Sequence, residues 1–225
     1  MPSCQKLLEK HKTLTISQSS KMAILYLVLS LIAGCILVQW DARPATNDAE
    51  QHWNRAYLIS QGQFVAQENP QNKGHFGGYI NNEFVEFNNT AVNSPVCYFP
   101  SWFSNGRYKL ACFLTLLISA LITASAILLS GAFAPIIMAI SLLPMVFLSY
   151  LYPTADAMTN SISLLFVSSI LHYYSMKRKP SWIEIAPLIL LGSVVGLVKI
   201  TCIILLLFLL LPLNSLRKST GKLAW

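Results

Sequence analysis

The chain has 225 residues, of which 54% are hydrophobic and 11% are charged. An average soluble domain carries about a quarter charged residues, so this composition excludes an ordinary soluble domain and indicates an integral membrane protein. The formal net charge of +7 does not indicate nucleic-acid binding, because the basic residues flank apolar blocks and form no single patch.

Five apolar blocks follow one another along the chain, at residues 22–40, 110–129, 134–151, 158–174 and 183–213. Most of them reach the roughly 17 to 25 residues that cross a bilayer as a helix. In lipid the backbone must satisfy its own hydrogen bonds, so each block is predicted to be helical. The predicted fold class is an all-α integral membrane protein with about six transmembrane or re-entrant helices and a large outer first loop.

Basic residues beside the blocks predict the orientation of the chain. The three basic clusters are Lys6, Lys10, Lys12 and Lys21; Lys177, Arg178 and Lys179; and Arg217, Lys218 and Lys222. The positive-inside rule places all three in the cytoplasm, together with the amino terminus. The predicted parts are a cytoplasmic segment 1–21, a first transmembrane helix 22–40, an extracytoplasmic loop 41–109 with a short interfacial helix, a transmembrane helical bundle 110–213 and a cytoplasmic tail 214–225.

The last block leaves a choice of topology. One helix over 183–213 would put the final basic cluster outside, whereas two helices that turn near 196–199 keep it inside. Each short helix would have about 14 residues and a length of roughly 21 Å, so we expect a short or re-entrant hairpin rather than one long tilted helix. The chain stops soon after this cluster without an obvious closing part, and we expect it to be the amino-terminal portion of a longer protein.

The loop 41–109 holds six of the nine acidic residues, and structureless loops longer than about 15 residues are uncommon and usually functional. Residues 47–60 predict a short helix, because Asn47 can cap it, Glu50 stands three residues later as in a capping box, and Gly62 follows its end. Two dipeptides, Gly77-Gly78 and Asn81-Asn82, predict turns around short extended pieces.

Asp48, His52 and Arg55 fall at i, i+4 and i+7 of the predicted loop helix and therefore share one face. An acid, an imidazole and a guanidinium on one face can supply a base, a proton carrier and an anion clamp. The alternative is a solvated face with internal ion pairs. Trp53 and Tyr57 share a neighbouring face, which we expect to turn toward lipid or protein.

Two isolated charges, Asp156 and Lys199, lie among the apolar blocks. A charge against lipid costs about 2.5 to 3.5 kcal/mol, so such residues normally face a cavity, a partner or the interface. The predicted topology puts both on the outer side, with Asp48. The alternative is that Asp156 only caps the fourth helix and Lys199 extends to the headgroups.

Five scattered cysteines show no Cys-x-x-Cys spacing that would suit zinc or redox chemistry. Most are predicted to be buried apolar side chains. A bridge between Cys97 and Cys112 on the outer side is an alternative.

Five ordered segments resemble a family of bacterial membrane proteins called domain of unknown function 2142. Members show a Pro-Asp-Glu-x-x-His-x-x-Arg-Ala-Tyr type segment followed by four shorter pieces. The matching segments are Asp48-Ala-Glu-Gln-His52-Trp-Asn-Arg55-Ala-Tyr57, Gly77-Gly-Tyr79, Thr90-Ala-Val-Asn-Ser-Pro95, Leu143-Pro-Met145 and Asp156-Ala-Met-Thr-Asn160. The chain departs from the pattern at Asn47 and Ala49, where the family has proline and an acidic residue.

The resemblance implies a multi-pass protein of the bacterial inner membrane, typically about twice as long as this chain. The family looks like a relative of the C-type glycosyltransferases, which take a sugar from a polyprenyl-phosphate carrier at the outer face. In those enzymes an acidic residue of the first outer loop acts as base or metal ligand, and the match carries that role to Asp48.

The leading hypothesis is therefore a glycosyltransferase-like enzyme for surface polysaccharide or lipid, with Asp48 catalytic and with His52, Arg55, Asp156 and Lys199 binding substrate. Arg55 and Lys199 would hold the carrier phosphate. The expected partners are the lipid bilayer and a lipid-linked sugar, with no nucleic acid, and a requirement for a divalent metal stays open. The alternatives are a transporter or flippase component that uses Asp156 and Lys199 as a buried coupling pair, and a truncated, non-catalytic membrane protein.

Overall fold

The computed structural model describes residues 2–40, 48–176 and 181–199, with side chains described from residue 18 onward. The described residues are mostly helical. Its elements in chain order are α1 (Pro2–Gln39), α2 (Ala49–Ser60), β1 (Gln67–Asn69), β2 (Asn72–Ile80), β3 (Glu83–Glu86), α3 (Asn88–Ala91), a 3₁₀ segment (Pro95–Phe103), α4 (Tyr108–Leu129), a 3₁₀ turn (Gly131–Phe133), α5 (Ala134–Ser141), α6 (Pro144–Ser149), α7 (Ala155–Ser175) and α8 (Trp182–Val198).

Two helices of the described residues are long and apolar enough to cross a membrane. They cover Gln18–Gln39 and Tyr108–Leu129, each with 22 residues and a mean hydropathy of 2.4. At 1.5 Å per residue each is about 33 Å long, which matches the hydrocarbon thickness of a bilayer. The helices predicted at 22–40 and 110–129 are therefore confirmed as helices. They pack on one another where Gly34 of α1 lets the Leu116 side chain approach its backbone.

The third apolar block does not form one helix, so a continuous helix over 134–151 is wrong. It is divided between α5 and α6. Pro144 starts α6, and proline both lacks the N–H that would continue a helix and disfavours helical geometry in the residue before it. Leu143 accordingly lies in an extended conformation, with φ −55 and ψ 134.

The fourth block lies inside α7, which packs against α4 and α8. A capping box of Ser181 and Glu184 starts α8, which ends at Val198, and Lys199 is extended with φ −151 and ψ 118. The helix therefore ends within the range 196–199 where a turn is predicted, and the turn itself stays a prediction. The second arm of the predicted hairpin, and the basic clusters at 177–179 and 217–222, lie outside the described residues.

The loop contains a three-stranded antiparallel sheet in the order β1-β2-β3, which corrects the all-α prediction. Asn81 and Asn82 join β2 to β3 with positive φ angles of 51 and 67, so the turn predicted there is confirmed. The turn predicted at Gly77-Gly78 is wrong, because both glycines lie within β2. A side chain at Gly78 would collide with Leu58 of α2, so this glycine lets the strand lie directly against that helix.

The loop helix is confirmed, with Gly62 just beyond its end at φ 84. It begins after Asp48, whose side chain makes no capping hydrogen bond, and Asn47 lies outside the described residues. Trp53 packs edge-on against Tyr57 and against Tyr108, with ring centroids 6.0 and 4.9 Å apart, so this aromatic face turns toward protein. A core shared by Ala56, Ile59, Cys97, Tyr98, Met158 and Val198 joins the loop to the bundle.

Candidate functional site

One end of the helical bundle collects polar side chains from four separate parts of the chain. Asp48 precedes α2, which carries His52; Tyr98 lies in the 3₁₀ segment; Asp156 lies in the first turn of α7; and Lys199 follows α8. We call these five residues the polar cluster. The start of α7 meets the end of α8 there because the two helices run antiparallel, with Tyr173 donating to the Glu184 carbonyl at their opposite ends.

The structure brings Asp156 and Lys199 into contact. The Lys199 Nζ donates to the Asp156 Oδ1 at 3.0 Å, and the two side chains are 55% and 46% exposed for Asp156 and Lys199 respectively. Thr154 caps α7 by accepting from the Ala157 N–H at 3.3 Å, so the alternative that Asp156 is only a cap is wrong. The predicted convergence of these two charges is therefore present as an accessible ion pair.

His52 is half-buried and pairs with Tyr98, whose hydroxyl lies 2.7 Å from the His52 Nδ1. Burial lowers the pKa of His52, the negative charges of Asp156 and Asp48 raise it, and Lys199 lowers it further. Burial also raises the pKa of Tyr98. Both groups are therefore neutral at pH 7, and the imidazole stands within the electric fields of all three charged members of the polar cluster.

Asp48 is exposed, and its Oδ1 accepts a hydrogen bond from the Asn89 Nδ2 at 2.9 Å. Gln51 adds two hydrogen bonds between α2 and α3. Its side chain accepts from the Asn89 N–H at 3.1 Å, and its backbone carbonyl accepts from the Thr90 hydroxyl at 3.1 Å. The carboxylate therefore bridges to α3 instead of capping its own helix. Its position is fixed while it remains open to solvent.

Arg55 does not join the contacts of the polar cluster, although it shares the helix face predicted from spacing. Its side chain is 2% exposed, its Nη2 donates to the Phe64 carbonyl at 2.8 Å, and its Cζ lies 5.7 Å from the centroid of the Phe87 ring. Burial lowers the pKa of Arg55. The alternative of a solvated face is thus wrong for this residue, and no described contact joins it to Lys199.

Arg55 instead lines a surface pocket of about 370 Å³, formed by the segment 64–66, Phe76 and the segment 91–95. We call it the Arg55 pocket. Its Asn93 donates to the Tyr98 hydroxyl at 3.3 Å, which connects the pocket to the polar cluster. Sequence reasoning missed the roles of Asn93 and Tyr98, because no spacing links them to His52, 46 residues before Tyr98.

The cysteines beside the site are thiols. Cys97 and Cys112 are both free and buried, so the alternative of a bridge between them is wrong. The Cys97 Sγ donates to the Val198 carbonyl at 2.9 Å, and burial raises the pKa of this thiol to about 12. Among the described residues, no group of three or more His, Cys, Asp or Glu side chains is placed to hold a metal ion.

The polar cluster combines an exposed carboxylate, a neutral imidazole and an ammonium, which are groups suited to acid–base chemistry on an anionic substrate. Comparison of the chain with protein-family models, with curated proteins and with solved structures found no match. The family resemblance of the five sequence segments stays a prediction from those residues.

Proposed function

We propose that this chain is a glycosyltransferase-like membrane enzyme that takes a sugar from a polyprenyl-phosphate carrier, with the polar cluster as its reaction site. The observation that carries the proposal is the placement of Asp48, His52 and the Asp156–Lys199 pair together at one end of the bundle. Val38, near the end of α1, packs in one cluster with Ala157 of the first turn of α7, and Tyr108, the first residue of α4, packs on Trp53 of α2, so the ends of two apolar helices lie close to this site. A lipid-linked donor fits such a place, because its tail can stay in the membrane while its phosphate and sugar lie at the interface.

The proposed chemistry begins with Asp48 as general base. The carboxylate takes the proton of an acceptor hydroxyl, the acceptor oxygen attacks the anomeric carbon, and the bond from that carbon to the carrier phosphate breaks. Lys199 then stabilises the negative charge that develops on the leaving polyprenyl phosphate. An exposed ion pair is worth only about 0 to 1 kcal/mol, so Lys199 can leave Asp156 for the phosphate at little cost.

We extend the proposal to topology and location. The amino terminus is cytoplasmic in a bacterial inner membrane, α1 runs outward, α4 inward, α5 and α6 outward, α7 inward and α8 outward, and the final apolar stretch returns the chain inside. The positive-inside rule supports this order. With 17 residues, α8 is about 25 Å long, somewhat short of a full bilayer, as a re-entrant or thin span would be.

A transporter or flippase component is the second candidate, because Asp156 and Lys199 form an ion pair among apolar helices. A coupling pair should lie near the middle of the membrane. Asp156 lies in the first turn of α7 and Lys199 follows the last residue of α8, so the pair stands at helix ends, beside the loop. This placement favours the transferase between the two candidates.

The experiment that tests the proposal compares Asp48→Asn with Glu50→Gln in membranes that contain the full-length protein. Asparagine at 48 keeps an oxygen for Asn89 but removes the basicity, so we expect sugar transfer to fall by about 100-fold or more. Glu50 is exposed in the same helix turn, and its neutralisation should leave transfer unchanged. Transfer is measured as radiolabelled sugar moved from a panel of polyprenyl-phosphate sugars.

Full transfer by Asp48→Asn at equal protein abundance would show that this carboxylate is not the base. Absence of transfer by the wild-type protein from every donor of the panel would remove the enzyme proposal, and the transporter or non-catalytic alternative would take its place.

A further inference from the structure

The guanidinium of Arg55 is a buried cation without a negative partner among the described residues. A guanidinium carries five N–H donors, and one nitrogen, Nη2, donates to the Phe64 carbonyl. The other two nitrogens, Nε and Nη1, are buried and have no hydrogen-bond partner. A buried charge that lacks both a counter-charge and its hydrogen bonds costs folding free energy, which a bound anion would offset.

The surroundings of Arg55 hold the cation in place but do not neutralise it. The Phe87 ring lies below the guanidinium at 5.7 Å, and a carbonyl oxygen and an aromatic face stabilise a cation without carrying a full negative charge. The carboxylate of Asp48, seven residues earlier in the chain, accepts a hydrogen bond from Asn89. The position is therefore equipped for an anion that comes from outside the described chain.

The Arg55 pocket has the size and the lining that such an anion needs. Its volume of about 370 Å³ lies within the range of small-molecule sites, roughly 300 to 1,000 Å³. This volume is larger than an inorganic anion would fill. Phe64, Phe76 and Val92 give it apolar walls, and Asn93 and Ser94 add polar groups. One charged residue in an apolar pocket suits a ligand that has one anionic group and one apolar group.

We infer that the Arg55 pocket binds a phosphate ester whose oxyanion pairs with Arg55 and whose apolar part contacts the phenylalanine walls. The pocket shares no lining residue with the polar cluster, although Asn93 hydrogen-bonds to Tyr98, and its occupation does not require any transfer. Two sources share this chemistry, a lipid headgroup and a soluble phosphate ester. The pocket belongs to the loop and opens at its surface, so both can reach it.

Equilibrium binding to the purified full chain in uncharged detergent tests the inference, with calorimetry as readout. The probes are phenyl phosphate for the soluble source, dihexanoyl phosphatidic acid for the lipid source, and benzyl alcohol as the neutral comparison. We expect at least one phosphate to bind about tenfold or more tightly than benzyl alcohol, since a charged pair adds to the apolar contact. The phosphate that binds more tightly identifies the source.

Three variants assign the binding to the pocket. Arg55→Met should weaken phosphate binding about tenfold or more, whereas Arg107→Met removes the same charge from an exposed position and should leave binding unchanged. Val92→Trp narrows the pocket at a side chain that is 87% exposed, so it should weaken phosphate binding without disturbing the core. This variant tests the pocket even if Arg55→Met fails to fold.

Equal binding of benzyl alcohol and phosphate, or phosphate binding that survives both Arg55→Met and Val92→Trp, would overturn the inference. Since no sugar transfer is measured, these results stand apart from the failure or success of the transferase proposal.

Discussion

At the scale of single residues, the protonation of His52 follows from its burial between charged neighbours. Burial lowers its pKa below the ordinary value of 6.5, and this effect outweighs the fields of Asp156 and Asp48. The unfolded chain, whose histidine keeps a pKa of about 6.5, therefore takes up the proton first as the pH falls. The contribution of His52 to the free energy of unfolding is fully present above about pH 6.5 and is lost as the pH falls toward and through its lowered pKa in the folded protein.

We predict that the thermal midpoint of the purified protein decreases when the pH is lowered from 7.5 to 5.5. The thermal midpoint of the His52→Gln variant should decrease less over the same interval. Glutamine can still hydrogen-bond the Tyr98 hydroxyl but does not titrate. The other histidines are common to both proteins, so the difference between the two slopes reports His52. Identical slopes would mean that His52 takes up its proton at the ordinary pH.

The residue contacts were only partly predictable from the sequence. Helical spacing correctly places Asp48, His52 and Arg55 on one face, because a face depends on the chain's own periodicity. What covers that face comes from distant segments: Asn89 reaches Asp48, Tyr98 reaches His52, and Phe64 reaches Arg55. Spacing carries no information on these partners, so the burial of Arg55 and its separation from Lys199 could not be foreseen.

At the scale of elements, strand β2 lies directly against helix α2 within the loop. Gly78 has no side chain where the Leu58 side chain lies, and Leu58 is 2% exposed. We predict that Gly78→Ala lowers the free energy of unfolding of the loop by about 1–3 kcal/mol, because an added methyl overpacks this contact.

The control for this prediction is Lys73→Ala, at an exposed position of the same strand, which should change little. Limited proteolysis of the loop and the thermal midpoint both measure the effect. If Gly78→Ala were as resistant as Lys73→Ala, the strand would not lie against the helix as described.

The elements were predictable where hydrophobic periodicity is strong and unpredictable where it is absent. The apolar blocks give α1, α4 and α7, as expected because a single segment can satisfy its own backbone hydrogen bonds in an apolar environment only as a helix. The strand β2, with sequence Asn72-Lys-Gly-His-Phe-Gly-Gly-Tyr-Ile80, is rich in glycine and lacks regular alternation, so it resembled a loop with turns. Pro144 indicates a break between α5 and α6, but the continuous apolar run on both sides of it favoured the prediction of one helix.

At the scale of the whole molecule, the outer surface of α1 agrees with a membrane environment. Large apolar side chains remain exposed along it, namely Ile24, Leu25, Val28, Leu29, Ile32 and Ile36. An apolar surface of this kind on a helix of spanning length is suited to contact with lipid. The loop and the polar cluster lie at one end of the two candidate spans, so the proposed reaction site would face one side of a membrane that these helices cross.

The side of the membrane that the loop faces is the claim on which the proposed reaction depends, and cysteine labelling measures it directly. Glu50→Cys places a thiol on the exposed start of α2, and Lys21→Cys places one near the opposite end of the first candidate span. A membrane-impermeant maleimide is applied to intact and to lysed cells, and labelling is scored above that of the parent chain. The account predicts that Glu50→Cys reacts in intact cells and that Lys21→Cys reacts only after lysis; equal reaction of both, or the reverse order, would contradict it.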